Sequence, residues 1–402
     1  MAARPDKTGP LTYQAYQGRQ AAVLSMSHTI CLVASTLYYP TGGGHRWAYI
    51  NWALGFKSLG CRLIWLEPVQ ATTPPEQVQA YVATLKAQLS AYGLAQDVAL
   101  CSETGAPLPA AQLGNCLDVD TAAAATDLLL NQKYSLAAAL VGKFRRSALL
   151  DIDPGLTQLW LSQDLIHPAP HDVYFTIGET VGQPSARFPD AGLPWHYTPP
   201  CIFLDAWPVV SAPATAPFTT ISHWYMQLWE TDPDGLYLND KRSGFLPFLE
   251  LPEHTPAALE LAIFLGDQDQ HERGLLQHHG WRVADSQQVA ATPALYQQYI
   301  QQSKGEFSCV KPSCIRQQNA WISDRTLCYL ASGKPVVVQH TGPSRFLPDA
   351  AGMFRFHTLA EAVRSLEAVA ADYDQHSALA RALVAEYFDA RRVTAALLER
   401  AL

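Results

Sequence analysis

Charged side chains are scarce in this chain, because Asp, Glu, Lys and Arg make up 16 % of its 402 residues against about 25 % in typical globular domains. Hydrophobic residues make up 48 %, a balance opposite to that of disordered chains. Basic residues are also in the minority, since 28 Lys and Arg against 36 Asp and Glu give a net charge of −8. General binders of nucleic acid or anionic membranes usually carry a basic surplus. We therefore predict neither partner.

Paired cysteines and long apolar runs are also missing. The eight cysteines are scattered without a CxxC pair, and several lie inside apolar segments such as 30–33. This favours free thiols in a reducing cytoplasm and offers no clustered ligands for zinc. No segment approaches the roughly 18–20 apolar residues that span a membrane, and residues 1–25 contain no signal-peptide core. We expect a cytoplasmic protein and interpret residues 1–25 as an N-terminal extension.

The remaining sequence alternates apolar runs with amphipathic segments, which is typical of parallel strands joined by helices. We predict a strand over 29–35, a helix over 46–59, a helix over 122–130 and a strand over 138–141. Residues 189–217 contain seven prolines and are interpreted as a crossing between domains, because proline lacks an amide donor. The predicted fold class is α/β, with two Rossmann-like, doubly wound parallel-sheet domains facing a cleft. Their predicted bounds are 26–205 and 206–385.

Three candidate motifs in the first half each follow a predicted strand. Gly42, Gly43 and Gly44 lead into the first helix, where small residues let the backbone approach a ligand and free amides attract anions. His45, Asp153 and Glu179 are candidate bases, or groups that hold an acceptor. Each motif also has a structural interpretation. The glycines would form a tight turn, Asp153 would be a helix N-cap, and Glu179 would be a solvated turn carboxylate.

Polar residues of the second half cluster at the ends of predicted elements. Lys241 and Arg242 open a helix, where cations oppose the helix dipole and a bound diphosphate would relieve the conflict. Solvated surface charge is the alternative. Segment 305–342 is denser in such residues, with a strand, a polar loop, a short helix capped by Ser323 and another strand. Its candidate binding residues are Glu306, Lys311, Ser323, Asp324, Arg325, His340, Thr341 and Gly342.

Segment Leu330–Ala331–Ser332–Gly333–Lys334–Pro335–Val336–Val337–Val338 resembles the donor-domain signature of GT-B glycosyltransferases of the bacterial family 1 and family 4 type. Segment 39–45 is similar to their glycine-rich acceptor-side loop, and the proline-rich crossing and C-terminal helices also resemble that fold. The resemblance implies that the second domain binds a nucleoside-diphosphate sugar, with a UDP-sugar as a candidate donor. It implies that the first domain binds an acceptor and that a helix over 386–402 packs back on it. It implies neither a cofactor nor a metal.

The chain departs from the retaining members of that family at two positions. Those members carry two glutamates eight residues apart, and the matching positions here hold Ala320 and Cys328. Asp324, one helical turn before Cys328, would contact the ribose instead. Arg325 stands where related bacterial enzymes carry an arginine in an S-x-R pattern.

The resemblance assigns roles to the remaining candidates. The cations Lys241, Arg242, Lys311 and Arg325 would neutralise the leaving diphosphate, which is electrostatic stabilisation of developing charge. His45, Asp153 or Glu179 would orient or deprotonate the acceptor hydroxyl.

Two other functions fit the same sequence. A nucleotide-sugar epimerase of this fold would need no separate acceptor site. A non-catalytic nucleotide- or carbohydrate-binding protein would bind the donor without turnover. A dehydrogenase is a weaker alternative, because the glycine loop is not GxGxxG. The sequence leaves open the donor sugar, the acceptor and the oligomeric state.

Overall fold

The computed structural model describes residues 28–226 and 228–402, so the predicted extension over 1–25 lies outside the described residues. The strands are β1 (Thr29–Val33), β2 (Arg62–Val69), β3 (Val98–Ser102), β4 (Leu117–Asp118), β5 (Leu128–Asn131), β6 (Ser147–Asp151), β7 (Val173–Thr176), β8 (Trp195–Tyr197), β9 (Phe218–Ser222), β10 (Trp229–Asp232), β11 (Gly235–Leu238), β12 (Leu259–Ile263), β13 (Arg282–Asp285), β14 (Gly305–Ser308), β15 (Val336–Gln339) and β16 (Met353–Phe356).

The helices are α1 (Gly43–Ser58), α2 (Pro75–Ser90), α3 (Ala110–Leu113), α4 (Val119–Ala125), α5 (Ala138–Val141), α6 (Leu156–Ser162), α7 (Lys241–Phe245), α8 (Gln270–His278), α9 (Ser286–Val289), α10 (Pro293–Gln302), α11 (Pro312–Gln317), α12 (Asp324–Ala331), α13 (Leu359–Ala371), α14 (Tyr373–Tyr387) and α15 (Ala390–Ala401). Short 3₁₀ turns lie at Leu246–Phe248, Leu251–His254 and Asp267–Asp269. None of the described helices has the length and apolar character needed to cross a bilayer.

The first domain is built on a parallel sheet of eight described strands in the order β4-β3-β2-β1-β5-β6-β7-β8. Residues 30–33 of β1 are fully buried, as expected for a central strand covered by helices on both faces. The chain winds in one direction from β1 to β4 and in the other from β5 to β8. The crevice between the carboxyl ends of β1 and β5 is therefore the switch point where open α/β sheets bind ligands.

The second domain contains a parallel sheet with the order β13-β12-β9-β14-β15-β16. Its switch point lies between β9 and β14. The antiparallel hairpin of β10 and β11 is inserted between β9 and α7. The predicted α/β class with two doubly wound parallel sheets is confirmed.

Two elements beside the first switch point differ from the sequence prediction. The predicted helix over 122–130 is wrong beyond Ala125, because Leu128–Asn131 form β5 and pair with both β1 and β6. An alanine-rich run favours helix locally, but these four residues are buried in the centre of the sheet. The predicted strand over 138–141 is also wrong, since these residues form α5.

The proline-rich crossing connects the end of β8 at Tyr197 to the start of β9 at Phe218. At the far end of the chain, α15 packs on α1 in the first domain. A Cβ atom on Gly55 would lie 2.7 Å from Cγ2 of Thr394, so the two helices approach closely at this glycine. Arg146 Nε also donates to the carbonyl oxygen of Ala401 at 2.7 Å. The C-terminal helix thus lies against the first domain.

Candidate functional site

A cavity of about 550 Å³ lies between the two domains, and both switch points open into it. The first domain contributes the segments that follow β1, β5, β6 and β7. The second domain contributes the segments that follow β9, β12, β13 and β14, together with the start of α12. Nine residues predicted from the sequence line this cavity: Gly42, Gly43, Gly44, His45, Asp153, Lys311, Ser323, Asp324 and Arg325.

The glycine loop brings the two domains into contact. The Gly43 amide donates to the carbonyl oxygen of Ala290 at 3.1 Å. A Cβ on Gly43 would collide with the carbonyl oxygen of Thr292, and one on Gly44 would lie 2.5 Å from the Tyr296 ring. The glycines are therefore required for the close approach of the second domain to the start of α1. The Gly43 amide is already occupied and does not serve as an open anion cradle.

His45 is held at one edge of the cavity with a defined ring orientation. Its Nε2 lies 2.8 Å from the carbonyl oxygen of Ser35, and a carbonyl only accepts, so Nε2 carries the proton. The ring packs against Tyr39 and Tyr49, with centroids 4.9 and 5.4 Å away. Nδ1 has no hydrogen-bond partner among the described residues. In the neutral ring Nδ1 is therefore the unprotonated nitrogen, and it can accept a hydrogen bond from a ligand hydroxyl.

The two carboxylates at the carboxyl end of β6, Asp151 and Asp153, have opposite environments. Asp151 is buried and accepts four hydrogen bonds, from the Asp153 amide, Thr157, Gln158 and Thr176, at 2.7–3.0 Å. These bonds fix the turn that presents Asp153, whose carboxylate accepts no hydrogen bond from a described residue and is exposed to the cavity.

The surroundings of Asp153 favour its protonated form more than water does. The protein walls of the cavity reduce its solvation, which raises its pKa above the ordinary value of 3.8. The charges of Asp151 and Asp324 raise the pKa further, and that of Lys311 opposes them.

The start of α12 forms the opposite wall. Ser323 caps this helix by accepting the Arg325 amide at 3.2 Å. Asp324 is half-buried, and burial raises its pKa while the charges of Arg325 and His45 oppose the shift. A carboxylate in this position can accept hydrogen bonds from a ligand that reaches the helix.

The Arg325 guanidinium is engaged within its own domain. It donates to Glu306 Oε1 at 2.7 Å, to Ser308 Oγ at 2.8 Å and to the carbonyl oxygen of Ile221 at 3.1 Å. Ile221 belongs to β9, while Glu306 and Ser308 belong to β14. The arginine therefore ties together the two strands that form the second switch point.

Lys311 supplies the available cation of the cavity. Its side chain is half-buried in the cavity wall, and its ammonium makes no ion pair or hydrogen bond with residues 28–226 or 228–402. Its charge lowers the pKa of Asp153 and also that of His223. An anionic ligand would therefore find a fully unsatisfied cation at Lys311, whereas Arg325 uses three of its N–H groups within its own domain.

Three other predicted residues lie away from the cavity. Glu179 accepts hydrogen bonds from Ser344 Oγ at 2.5 Å and from the backbone amide and Nε of Arg345 at 2.9 and 2.8 Å, so it joins the two domains. Lys241 is buried and donates to the carbonyl oxygen of Cys309 at 2.6 Å. Burial lowers its pKa to about 7, and the nearby Arg325 adds to the effect. Arg242 pairs with Glu272 at 2.7 Å.

The remaining predicted residues support the cavity wall without lining it. Glu306 is fully buried behind Arg325. Thr341 Oγ1 donates to the carbonyl oxygen of Trp321 at 2.7 Å. Gly342 adopts a positive φ of 130° and packs on the backbone of Gln318, where a side chain would collide. His340 stacks on His357 at 4.4 Å, and burial together with Arg355 lowers its pKa to about 4.

Two further residues that line the cavity, His223 and Gln132, are not among those predicted from the sequence. His223 follows β9, and the rule that strand ends carry ligands would have found it. Burial lowers its pKa, and the charges of His45 and Lys311 add to this. Gln132 follows β5, the strand mistaken for a helix, so no strand end was expected there.

No group of three or more His, Cys, Asp or Glu side chains within the described ranges is placed to hold a metal ion. The expectation that the reaction needs no metal remains a prediction from the family resemblance.

Comparisons with known proteins identify the fold. No family model and no curated protein sequence matches the chain. Among solved structures, Anabaena HepE in complex with UDP-glucose matches with a TM-score of 0.57 and 13 % identity, over 92 % of this chain and 98 % of that one. An alpha-glucosyltransferase in complex with UDP and a 13-mer DNA matches with a TM-score of 0.57 and 10 % identity, over 93 % and 99 %. The predicted GT-B fold is therefore confirmed.

Proposed function

We propose that this chain is a glycosyltransferase that moves a sugar from a nucleoside-diphosphate sugar to an acceptor hydroxyl. The observation that carries the proposal is that the two walls of the cavity present opposite chemical groups. The first domain presents the unpartnered carboxylate of Asp153 and the oriented ring of His45. The second presents the unpaired ammonium of Lys311 beside the start of α12. Such a site suits a reaction in which a base of the first domain takes a proton from the acceptor and a cation of the second domain stabilises an anionic leaving group.

The neighbours in fold support a UDP-sugar as the donor. HepE was crystallised with UDP-glucose, and the alpha-glucosyltransferase with UDP. In this chain the diphosphate would lie against Lys311 and the amino end of α12. The diphosphate would also contact the Arg325 guanidinium. Three N–H groups of this side chain are used in hydrogen bonds within the second domain, and the remaining N–H groups are available to the ligand. Asp324 would accept the ribose hydroxyls.

The chemical step follows from these positions. The bond between the anomeric carbon and the diphosphate oxygen breaks, and the electron pair leaves with the nucleoside diphosphate, whose charge Lys311 stabilises. The acceptor oxygen forms the new bond to that carbon, and its proton passes to the Asp153 carboxylate. His45 Nδ1 accepts a hydrogen bond that orients the acceptor.

Replacing Lys311 with Met is expected to weaken UDP binding by about 10- to 100-fold, because a hydrogen bond to a charged group contributes about 1.5–3 kcal/mol. Titration calorimetry with UDP at several salt concentrations would measure this loss and the reduced salt dependence. Arg242→Gln is the matched control, since Arg242 pairs with Glu272 outside the cavity and Glu272 keeps Trp224 as a donor at 2.8 Å. A larger loss in the control than in K311M would contradict the assignment of the donor wall.

One incubation separates the proposed function from its alternatives. The enzyme is mixed with UDP-glucose, with and without a panel of sugar acceptors. A transferase releases UDP and forms a glycoside that depends on the acceptor. An epimerase yields an isomeric UDP-sugar without releasing UDP, and a non-catalytic binder leaves the donor unchanged although calorimetry detects it.

A further inference from the structure

Gln132 is an anomaly in the wall of the cavity. It follows β5 directly, is 7 % exposed and lines the cavity beside the first switch point. Neither its amide oxygen nor its amide nitrogen has a hydrogen-bond partner among the described residues. A buried polar group without a partner costs about 1–3 kcal/mol. A functional site is one place where such a cost is retained, because a ligand then completes the bonds.

The backbone around Gln132 is fixed by its neighbours. The Asn131 amide oxygen accepts the Lys133 backbone N–H at 2.8 Å, and its Nδ2 lies 3.1 Å from Nε2 of His171. β5 is paired on both sides, with β1 and with β6. Gln132 is therefore held between the start of α1, which carries His45, and the turn that carries Asp153, on the side assigned to the acceptor.

The charge of this wall limits what it binds. Among the described first-domain residues that line the cavity, Asp153 bears a carboxylate and none is Lys or Arg. The nearest cation in sequence, Lys133, pairs with Glu103 at 3.2 Å and lines a separate cavity of about 370 Å³. An anionic acceptor would meet the like charge of Asp153 on this wall, and Lys311, the cation of the opposite wall, is assigned to the diphosphate. Aromatic rings of Tyr39 and Trp52 contribute apolar faces to the same wall.

We propose that Gln132 is a specificity-determining residue whose amide holds neighbouring hydroxyls of a neutral sugar acceptor. The inference rests on the proposed function. A primary amide offers an accepting oxygen and a donating nitrogen, and two adjacent hydroxyls supply a donor and an acceptor in return. The apolar face of a sugar ring packs on an aromatic side chain, and the described residues of this wall include no Lys or Arg to hold a phosphate or a carboxylate.

The test uses Gln132→Met, which keeps the length of the side chain and removes its polar atoms. Because the amide is unsatisfied without ligand, Q132M should unfold at the same temperature as the parent or higher. For a panel of glucose, maltose, glucose 6-phosphate and glucuronate, the parent should favour the neutral sugars. Q132M should lower kcat/KM for them about tenfold or more through a raised KM, with the Kd for UDP-glucose unchanged.

Gln317→Met is the matched control. Gln317 is also buried, with both amide atoms unpartnered in the described structure, but it does not line the cavity. Q317M should therefore leave the acceptor KM unchanged. A Q132M enzyme with an unchanged acceptor KM overturns the proposal, and so does one with a raised Kd for UDP-glucose. A clear preference for glucose 6-phosphate or glucuronate in the parent also overturns it.

The two proposals fail in distinguishable ways. If UDP-glucose binds and the neutral sugars react, but Q132M behaves as the parent, only the role of Gln132 is lost. If UDP-glucose binds and no panel member reacts or shows saturation-transfer NMR contacts with UDP present, the sugar acceptor is overturned while donor binding stands. If neither UDP-glucose nor another nucleoside-diphosphate sugar binds, the proposed function itself fails.

Discussion

Replacing Asp153 with Asn is expected to lower the rate of sugar transfer by about 10²- to 10⁴-fold, the usual contribution of a positioned general base. The carboxylate faces the cavity without a partner in the described structure, and the four hydrogen bonds of Asp151 hold its turn in place. Asn has nearly the same shape but takes up no proton. Single-turnover kinetics with a saturating donor would measure the loss, and the Kd for UDP-glucose should stay within about twofold.

The same carboxylate predicts a pH profile. A base acts in its deprotonated form, and the cavity raises the pKa of Asp153 above 3.8. Transfer should therefore decline as the pH falls through this raised value, at a higher pH than for an ordinary aspartate. The decline should vanish from the residual activity of D153N. An acid limb that D153N retains would assign it to another group.

Asp151→Asn is the contrasting variant for this pair. Asp151 is buried and surrounded by four hydrogen-bond donors. In D151N one accepting oxygen becomes a donating NH₂ group, which then faces other donors and leaves hydrogen bonds unmade. We expect a loss of about 1–3 kcal/mol in the free energy of unfolding. If D151N reduces transfer as strongly as D153N without a loss of stability, the two carboxylates have exchanged roles.

Much of the fold could be predicted from the sequence, because the signals were local. Apolar runs such as 29–33 predict buried parallel strands, and residues 42–45 mark the start of a helix. β5 was missed because its four residues follow an alanine-rich helix without a glycine or proline between them. Its strand state depends on pairing with β1 and β6, which are distant in the sequence. Because β5 was not predicted, Gln132 was not recognised as a residue at the carboxyl end of a strand.

The site could be predicted only in part, since the sequence indicates which residues are charged but not which charges are already paired. Lys311 and Lys241 look alike as cations beside predicted elements. In the structure Lys241 is buried against a carbonyl, while Lys311 faces the cavity unpaired within the described residues. Glu179 likewise looks like a base but receives hydrogen bonds from Ser344 and Arg345. Such pairings join residues that are distant in the sequence and therefore have no local sequence signal.

The distinction between a free charge and a charge that is already paired matters most at Arg325. The family resemblance places Arg325 at the leaving diphosphate, so its replacement would weaken donor binding. The structure predicts a loss of stability first, because Glu306 is fully buried and Arg325 is the partner of its Oε1. Removing one member of a buried ion pair leaves an uncompensated charge and costs about 3–5 kcal/mol. Urea unfolding of Arg325→Met should show a loss of this size.

A second variant separates stability from binding. The double variant R325M with E306Q removes both charges of this pair, and replacing both partners of a buried pair costs far less than removing one. The double variant should therefore regain most of the stability that R325M loses. Because the double variant is expected to stay folded, a loss of UDP affinity in it reports what Arg325 does at the site, namely its contact with the diphosphate and its tie between β9 and β14, without the effect of an unpaired buried Glu306. If R325M is as stable as the parent, the ion pair between Arg325 and Glu306 does not hold the switch point together. The Arg325 guanidinium would then act on the ligand, as the sequence suggests.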